Sequence, residues 1–367
     1  MIDYSILWAG TSLLVMLGLN KKFSGKICII SLFILMLFYL GLRPTSLGTD
    51  TKNYYELYGF WSASFFDSDL EWLFSCLTSL YKILLLDVKL WIFSLSFIYL
   101  FFMFVAINGV FRNDAIVFLL LISSLYFWIY GVNIIRFGIS FSIFLYATYI
   151  YVANGRVNFS CIILLFAAIG FHNTIIFQAL FLFFYKESVV DRLLKYYLAP
   201  VLLSLLAMTF NVDIIGIVGL LVNVFQGVLP ERLVSRFYFY LQTYEYKSLS
   251  FGFSYLLSLS IIICSAYLKE YIYKGVDVVR FKFFRLSFYF SLINVCFLPL
   301  LYKYDTFSRI LSGFDFFTIF LLFELLCLIP CKVKRLFIVL LGATMLYYKV
   351  VYTGFVNGFL NLRFVDI

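Results

Sequence analysis

The polar chemistry of this sequence begins with an aspartate and a row of aromatic rings. In GTDTKNYYELYGFW, Gly48 permits a turn and Asp50 is placed to cap a helix that runs on from Thr51. On such a helix Asp50, Tyr54, Tyr58, Trp61 and Phe65 fall along one side. Two readings stand for that strip. One is a helix cap followed by an aromatic belt at a membrane interface. The other is a carboxylate beside ring faces suited to the C–H faces of sugars.

A second constellation is Asn133, Arg136 and Ser140, which share a helical face at the mouth of an apolar run. A guanidinium there suits a diphosphate, because it binds phosphate oxygens bidentately and keeps its charge when partly buried. It also suits a plain snorkelling role at the headgroups. His172, the only histidine, interrupts another apolar run in GFHN, either as a packing residue or as a catalytic one. Arg309 opens a late apolar run with Asp305 one turn before it, and Arg43 precedes Pro44 at the end of an early one. Asp315 and Glu324 lie inside a span and call for partners within the bundle. One histidine without a Cys or acidic cluster beside it makes a poor metal site, so no metal and no cofactor are expected. The seven cysteines lie mostly in apolar runs and read as small core residues.

The elements that must position these groups are membrane helices. The chain has 367 residues, 64% hydrophobic and only 13% charged, too few charges for a soluble protein of this size. Apolar segments near 3–19, 27–42, 88–107, 115–131, 136–153, 157–185, 195–211, 252–268, 286–302, 309–329 and 336–352 predict an all-α polytopic protein with about 11–12 transmembrane helices. The whole of 1–367 reads as one transmembrane domain. The net charge of +9 is explained by membrane orientation rather than by nucleic acid. Basic loops around Lys21, Lys186, Lys274 and Lys332 are placed in the cytoplasm, and the acid-rich segment 43–87 outside. The segment 212–250 is expected to contribute an outer-face amphipathic helix. The run 157–185 is broken at Gly170, His172 and Asn173. Reading it as a hairpin, with 70–87 lying on the outer surface, gathers Asp50, Arg136 and His172 on one face. The competing scheme makes 70–87 a span and moves Arg136 inside.

Together these residues resemble the EpsG family of bacterial polysaccharide-assembly membrane proteins, and through it the O-antigen polymerases. The likeness lies in the order Arg43, Gly48-Thr49-Asp50-Thr51, Tyr54, Tyr58, Glu71, Asn133-x-x-Arg136, Phe171-His172 and Arg309. Phe137 departs from it, standing where many relatives carry a polar Gln. The resemblance implies a GT-C-like glycosyltransferase of the bacterial inner membrane, with its active site facing the periplasm. It would transfer glycan from undecaprenyl diphosphate to the next lipid-linked repeat unit. Asp50 and His172 would be catalytic, and Arg43, Arg136 and Arg309 would hold the diphosphate. Tyr54, Tyr58, Asn133 and Glu71 would contact sugar. The implied partners are the lipid-linked glycan, membrane lipid and a chain-length regulator protein. A flippase for the same lipid, an O-antigen ligase and a membrane acyltransferase are the alternatives.

Overall fold

A computed structural model describes residues 25–45, 47–48, 50–62, 70–112, 114–210, 253–301 and 305–329, with Gly10 and Leu340 besides; the side chains of 253–254 and 305–309 are not among those described. The expected spans 3–19 and 336–352, the segment 212–250 and Phe65 fall outside these residues. All regular structure among them is helical, and the protein is a polytopic membrane protein.

The helices, in order, are α1 Gly25–Gly41, α2 Thr51–Phe60, α3 Trp72–Ile83, α4 Val88–Phe111, α5 Ala115–Ser123, α6 Leu125–Trp128, α7 Ile135–Asn154, α8 Phe159–Phe171 and α9 Ile176–Phe184. They are followed by α10 Glu187–Tyr196, α11 Leu198–Thr209, α12 Phe253–Tyr267, α13 Lys269–Gly275, α14 Val278–Leu301, α15 Asp305–Asp315 and α16 Thr318–Cys327. Among the described residues α4, α7, α14 and the stretch Ile310–Cys327 are long and apolar enough to cross a bilayer unaided. The chain divides into two compact units, one formed by residues up to 183 with 277–283 and 326–367, the other by 184–276 and 284–325.

In the first unit α4 and α7 pack along each other, with α1 and α8 against them. Gly109 of α4 lies under the Tyr149 ring of α7 so closely that a Cβ would overlap it. The expected span 115–131 is a broken one: α5 and the stretch Leu125–Asn133 meet at 75°. Ser124 caps the second piece by accepting from the Tyr126 amide, and the Trp128 indole donates to the Ile122 carbonyl at 2.7 Å. Thus an amide and a carbonyl at the break find partners within the chain. After α6 comes a π-helical turn, Ile129–Asn133. Gly138 lets that turn fold over the start of α7, because a Cβ there would run into the Tyr130 carbonyl.

In the second unit the partners of intramembrane Asp315 are Ser258 (3.0 Å), Asn294 (2.9 Å) and Thr318 (3.3 Å), all donating to one carboxylate oxygen. Glu324 is buried.

Candidate functional site

Glu71, immediately before α3, is the centre of the site in the first unit. Its Oε2 accepts from Arg136 Nη1 and its Oε1 bonds His172 Nδ1, each at 2.6 Å. The three residues come from three elements that local geometry forces together. Gly170, two residues before the histidine, sits against Trp72 and Leu73, whose nearest atoms are 2.8 to 2.9 Å from where a Cβ would be. Only glycine lets α3 approach α8 so closely, and that approach carries Glu71 to His172. Ser140, one turn after Arg136 on α7, donates to the Ala168 carbonyl at 2.6 Å and to the His172 carbonyl at 3.4 Å. It therefore ties the end of α8 to the beginning of α7.

His172 stands in the gap between α8 and a short 3-10 turn, Asn173–Ile175, with extended backbone. The Phe137 ring stands perpendicular to the imidazole with centroids 5.7 Å apart. Phe74 lies beneath the Arg136 guanidinium at 5.5 Å. The side chains of Arg136 and His172 remain 27% exposed, whereas that of Glu71 is 9% exposed. The acid is thus enclosed between two groups that still reach outward. Burial by itself would raise the Glu71 pKa, but the His172 hydrogen bond and the Arg136 charge more than offset it, holding the carboxyl at about 2 against an ordinary 4.5. With Glu71 ionised, His172 Nδ1 is the donor in this bond.

The GTD loop meets the same end of the bundle. Gly48 has φ +81, and a Cβ there would overlap the Asn133 side-chain oxygen and Val132. Asn133 is buried at this contact. Helix α2 starts at Thr51 as its sequence predicts, but the Asp50 side chain makes no capping bond, so the cap reading of this acid is set aside. Asp50 and Arg136 both act electrostatically on the Tyr54 hydroxyl, which also shares a hydrogen bond with Arg136; burial, the largest effect, raises the pKa of that hydroxyl.

The other arginines are placed differently. Arg43 is 1% exposed, with Nη1 donating to the carbonyls of Leu40 (3.1 Å) and Gly131 (2.9 Å) and to Ser96 Oγ (3.4 Å), and Nε to Thr51 Oγ1 (3.2 Å). It joins the end of α1, the start of α2, helix α4 and the π turn. Burial pulls its pKa down to about 10, so it keeps its charge at neutral pH. Arg309 lies in α15 of the second unit, and its side chain is not among those described.

The aromatic strip faces inward. Tyr54 and Tyr58 are buried around Trp91 and Phe74, the Tyr58 hydroxyl donates to the Leu86 carbonyl at 2.6 Å, and Lys82 Nζ covers its ring at 4.4 Å. Trp61 donates to Ser79 Oγ at 2.9 Å. These rings fix α2 onto α3 and α4, and the buried Tyr54 and Tyr58 offer no open face to a sugar. The role of Phe137, Phe74 and Gly170 in shaping the site was missed from sequence; the GFH triplet at a span interruption is the signal that points to the last.

A family model for EpsG matches residues 26–364, nearly the whole length. The chain belongs to the EpsG family. It is accordingly a multi-pass membrane protein of polysaccharide assembly. No curated protein and no solved structure matches it. In this EpsG-family chain the matched region includes the Arg43, Asp50, Glu71, Arg136, His172 and Arg309 positions.

Proposed function

We infer that this protein polymerises lipid-linked oligosaccharide repeat units, transferring glycan from undecaprenyl diphosphate to the next lipid-linked unit at the outer face of the bacterial inner membrane. The observation that carries the reading is the single buried carboxylate that grips an arginine on one oxygen and a histidine on the other. That arrangement pairs a base with an anion holder at the spacing of one carboxylate. His172 Nε2 takes the proton of the acceptor hydroxyl as its oxygen forms the bond to the anomeric carbon of the donor. The bond from that carbon to the diphosphate oxygen breaks, and its electron pair leaves on undecaprenyl diphosphate. Arg136 binds the phosphate oxygens and stabilises the charge that accumulates there. Glu71 holds the imidazole in the productive tautomer and the guanidinium in place; it touches neither sugar. Asp50 serves the acceptor side. Arg309 is retained as a second diphosphate ligand on sequence grounds. Arg43 is assigned to the frame of the site, as are Tyr54 and Tyr58.

The outer location is supported by the charges at the far end of the same helices. The site occupies the end of α1, the start of α4 and the start of α7. The opposite ends carry Arg112 paired to Asp277 at 3.4 Å, Arg280 over the Phe111 ring, Arg156, and Lys282 beside Gly155. Such a basic end suits the cytoplasm, which supports the outer-face reading of the site.

Deleting the gene and isolating the lipid carriers tests the reading. Carriers capped with single repeat units on the outer face are expected. Repeat units trapped inside would mean a flippase, and free full-length polymer would mean a ligase; either result overturns the proposal.

A further inference from the structure

Helix α10, ESVVDRLLKY, carries two acids and two bases and is, with α15, one of the two most clearly two-sided described elements of the second unit. Val190 and Leu194 are buried, Leu193 is half-buried and Val189 is exposed, so unlike a free interfacial helix it turns most of its apolar side to the protein. Glu187 and Asp191, one turn apart, both bond Arg285 of α14; the Arg285 Nη1 to Glu187 distance is 2.9 Å, and Arg285 itself is 12% exposed. One largely enclosed arginine thus holds both acids of the helix, whose side chains remain 47% and 49% exposed. What remains outward is Arg192, which points away from Val190 and Leu194, together with Lys195, Ser188 and Tyr196, and Lys186 just before the helix. Lys195 Nζ lies over the Tyr196 ring at 5.2 Å.

The position of this face selects its occupant. Helix α10 is preceded by the strongly exposed Phe184 and followed by α11, whose Leu198, Leu202 and Leu203 are also exposed. Large apolar side chains left open on a membrane helix meet acyl chains, so the basic face between them lies at the level of the headgroups. Basic side chains and an interfacial tyrosine at that depth match an anionic headgroup.

We propose that the outward face of α10, formed by Lys186, Arg192 and Lys195 with Tyr196, binds anionic phospholipid headgroups. The pairing of the acids matters as much as the bases. Glu187 and Asp191 stay about half exposed, but both are held on Arg285, so they offset Arg192 and Lys195 less than two unpaired acids would.

The test uses the purified full-length protein titrated with phosphatidylglycerol or phosphatidylcholine, with bound lipid counted by native mass spectrometry. The wild type is expected to prefer phosphatidylglycerol. Replacing Arg192→Ser and Lys195→Ser should weaken that preference about five-fold for each base removed. Arg192→Lys with Lys195→Arg should keep it, and Lys52→Ser, an exposed base elsewhere, should leave it unchanged. An unaltered preference in the double serine variant, or no preference in the wild type, overturns the proposal. So does stronger capture of a soluble polyglutamate peptide than of phosphatidylglycerol vesicles, which would make the face a protein-docking site. All five exchanges are at exposed positions, and a single sharp gel-filtration peak for each variant verifies that the comparison is between folded proteins.

Discussion

Arg43 and Arg136 begin as equals in the sequence, two arginines at the polar ends of apolar runs, and the fold makes them opposites. Arg43 is sealed in: its Nη1 and Nε donate to two backbone carbonyls and two hydroxyls, and its buried Nη2 has no partner. None of these bonds is to an acid; four elements are simply pinned to one cation. Arg136 meets a carboxylate, lies over a ring and remains partly open. A guanidinium that is 1% exposed and tied through two of its nitrogens to four elements of the frame has no open face for a phosphate. The partner set, more than the charge, separates a frame residue from a working one.

That contrast is broken most directly by paired substitutions. Arg136→Ala should lower polymer formation by about 10²-fold or more while the protein accumulates normally in the membrane, because it removes stabilisation of the leaving diphosphate. Arg43→Ala should instead cost on the order of 3 kcal/mol of stability, since it strips a charged donor from several buried acceptors. Its readout is a lowered melting midpoint and less folded protein; normal melting with lost polymer would turn Arg43 back into a ligand. A smaller effect is expected from Gly48→Ala, about 1–2 kcal/mol from its left-handed backbone alone, with further loss from overlap on Asn133. The smallest is Tyr58→Phe, which removes one hydrogen bond to Leu86 and should cost about 1 kcal/mol without shortening the polymer. Shortened polymer at unchanged stability would restore Tyr58 as a sugar contact.

Acid titration sharpens the same division. The Glu71 carboxyl is held at about 2, below its ordinary 4.5, so its contribution to stability is fully present above pH 4.5 and is lost as pH falls toward 2. The melting difference between wild type and Glu71→Gln should therefore stay flat from pH 8 to pH 5 and shrink below that. A difference that shrinks at neutral pH would mean that Glu71 is not ionised as described.

The sequence made legible whatever depended on short spacing. The interruption at Gly170 to Asn173, the start of α2 at Thr51 and the Asn133, Arg136, Ser140 face all follow from residues within a few turns of one another. Glu71 shows the other case. Its partners are 65 and 101 residues away, and nothing near it in sequence says that α3 will settle on α8. It was therefore read as a sugar contact and not as the residue that joins arginine to histidine. The Tyr54 and Tyr58 strip was ambiguous for a related reason. Helical spacing fixes that rings share a side, but Trp91, on a later helix, decides that the side is inward. The break at Ser124 was hidden because the run is apolar on both sides of it, and the indole that satisfies the freed carbonyl comes from within that run.

The central claim is that one ionised carboxylate sets both the base and the phosphate holder. Glu71→Gln keeps size and hydrogen-bonding atoms while removing the charge, so the polymer length distribution in cells carrying this variant, at membrane levels matched to wild type, is the most direct measurement. The account predicts carriers capped with single repeat units and a loss of extension of about 10²-fold or more, as expected when a histidine base loses the carboxylate that fixes its tautomer. Polymer of normal length from Glu71→Gln would contradict it.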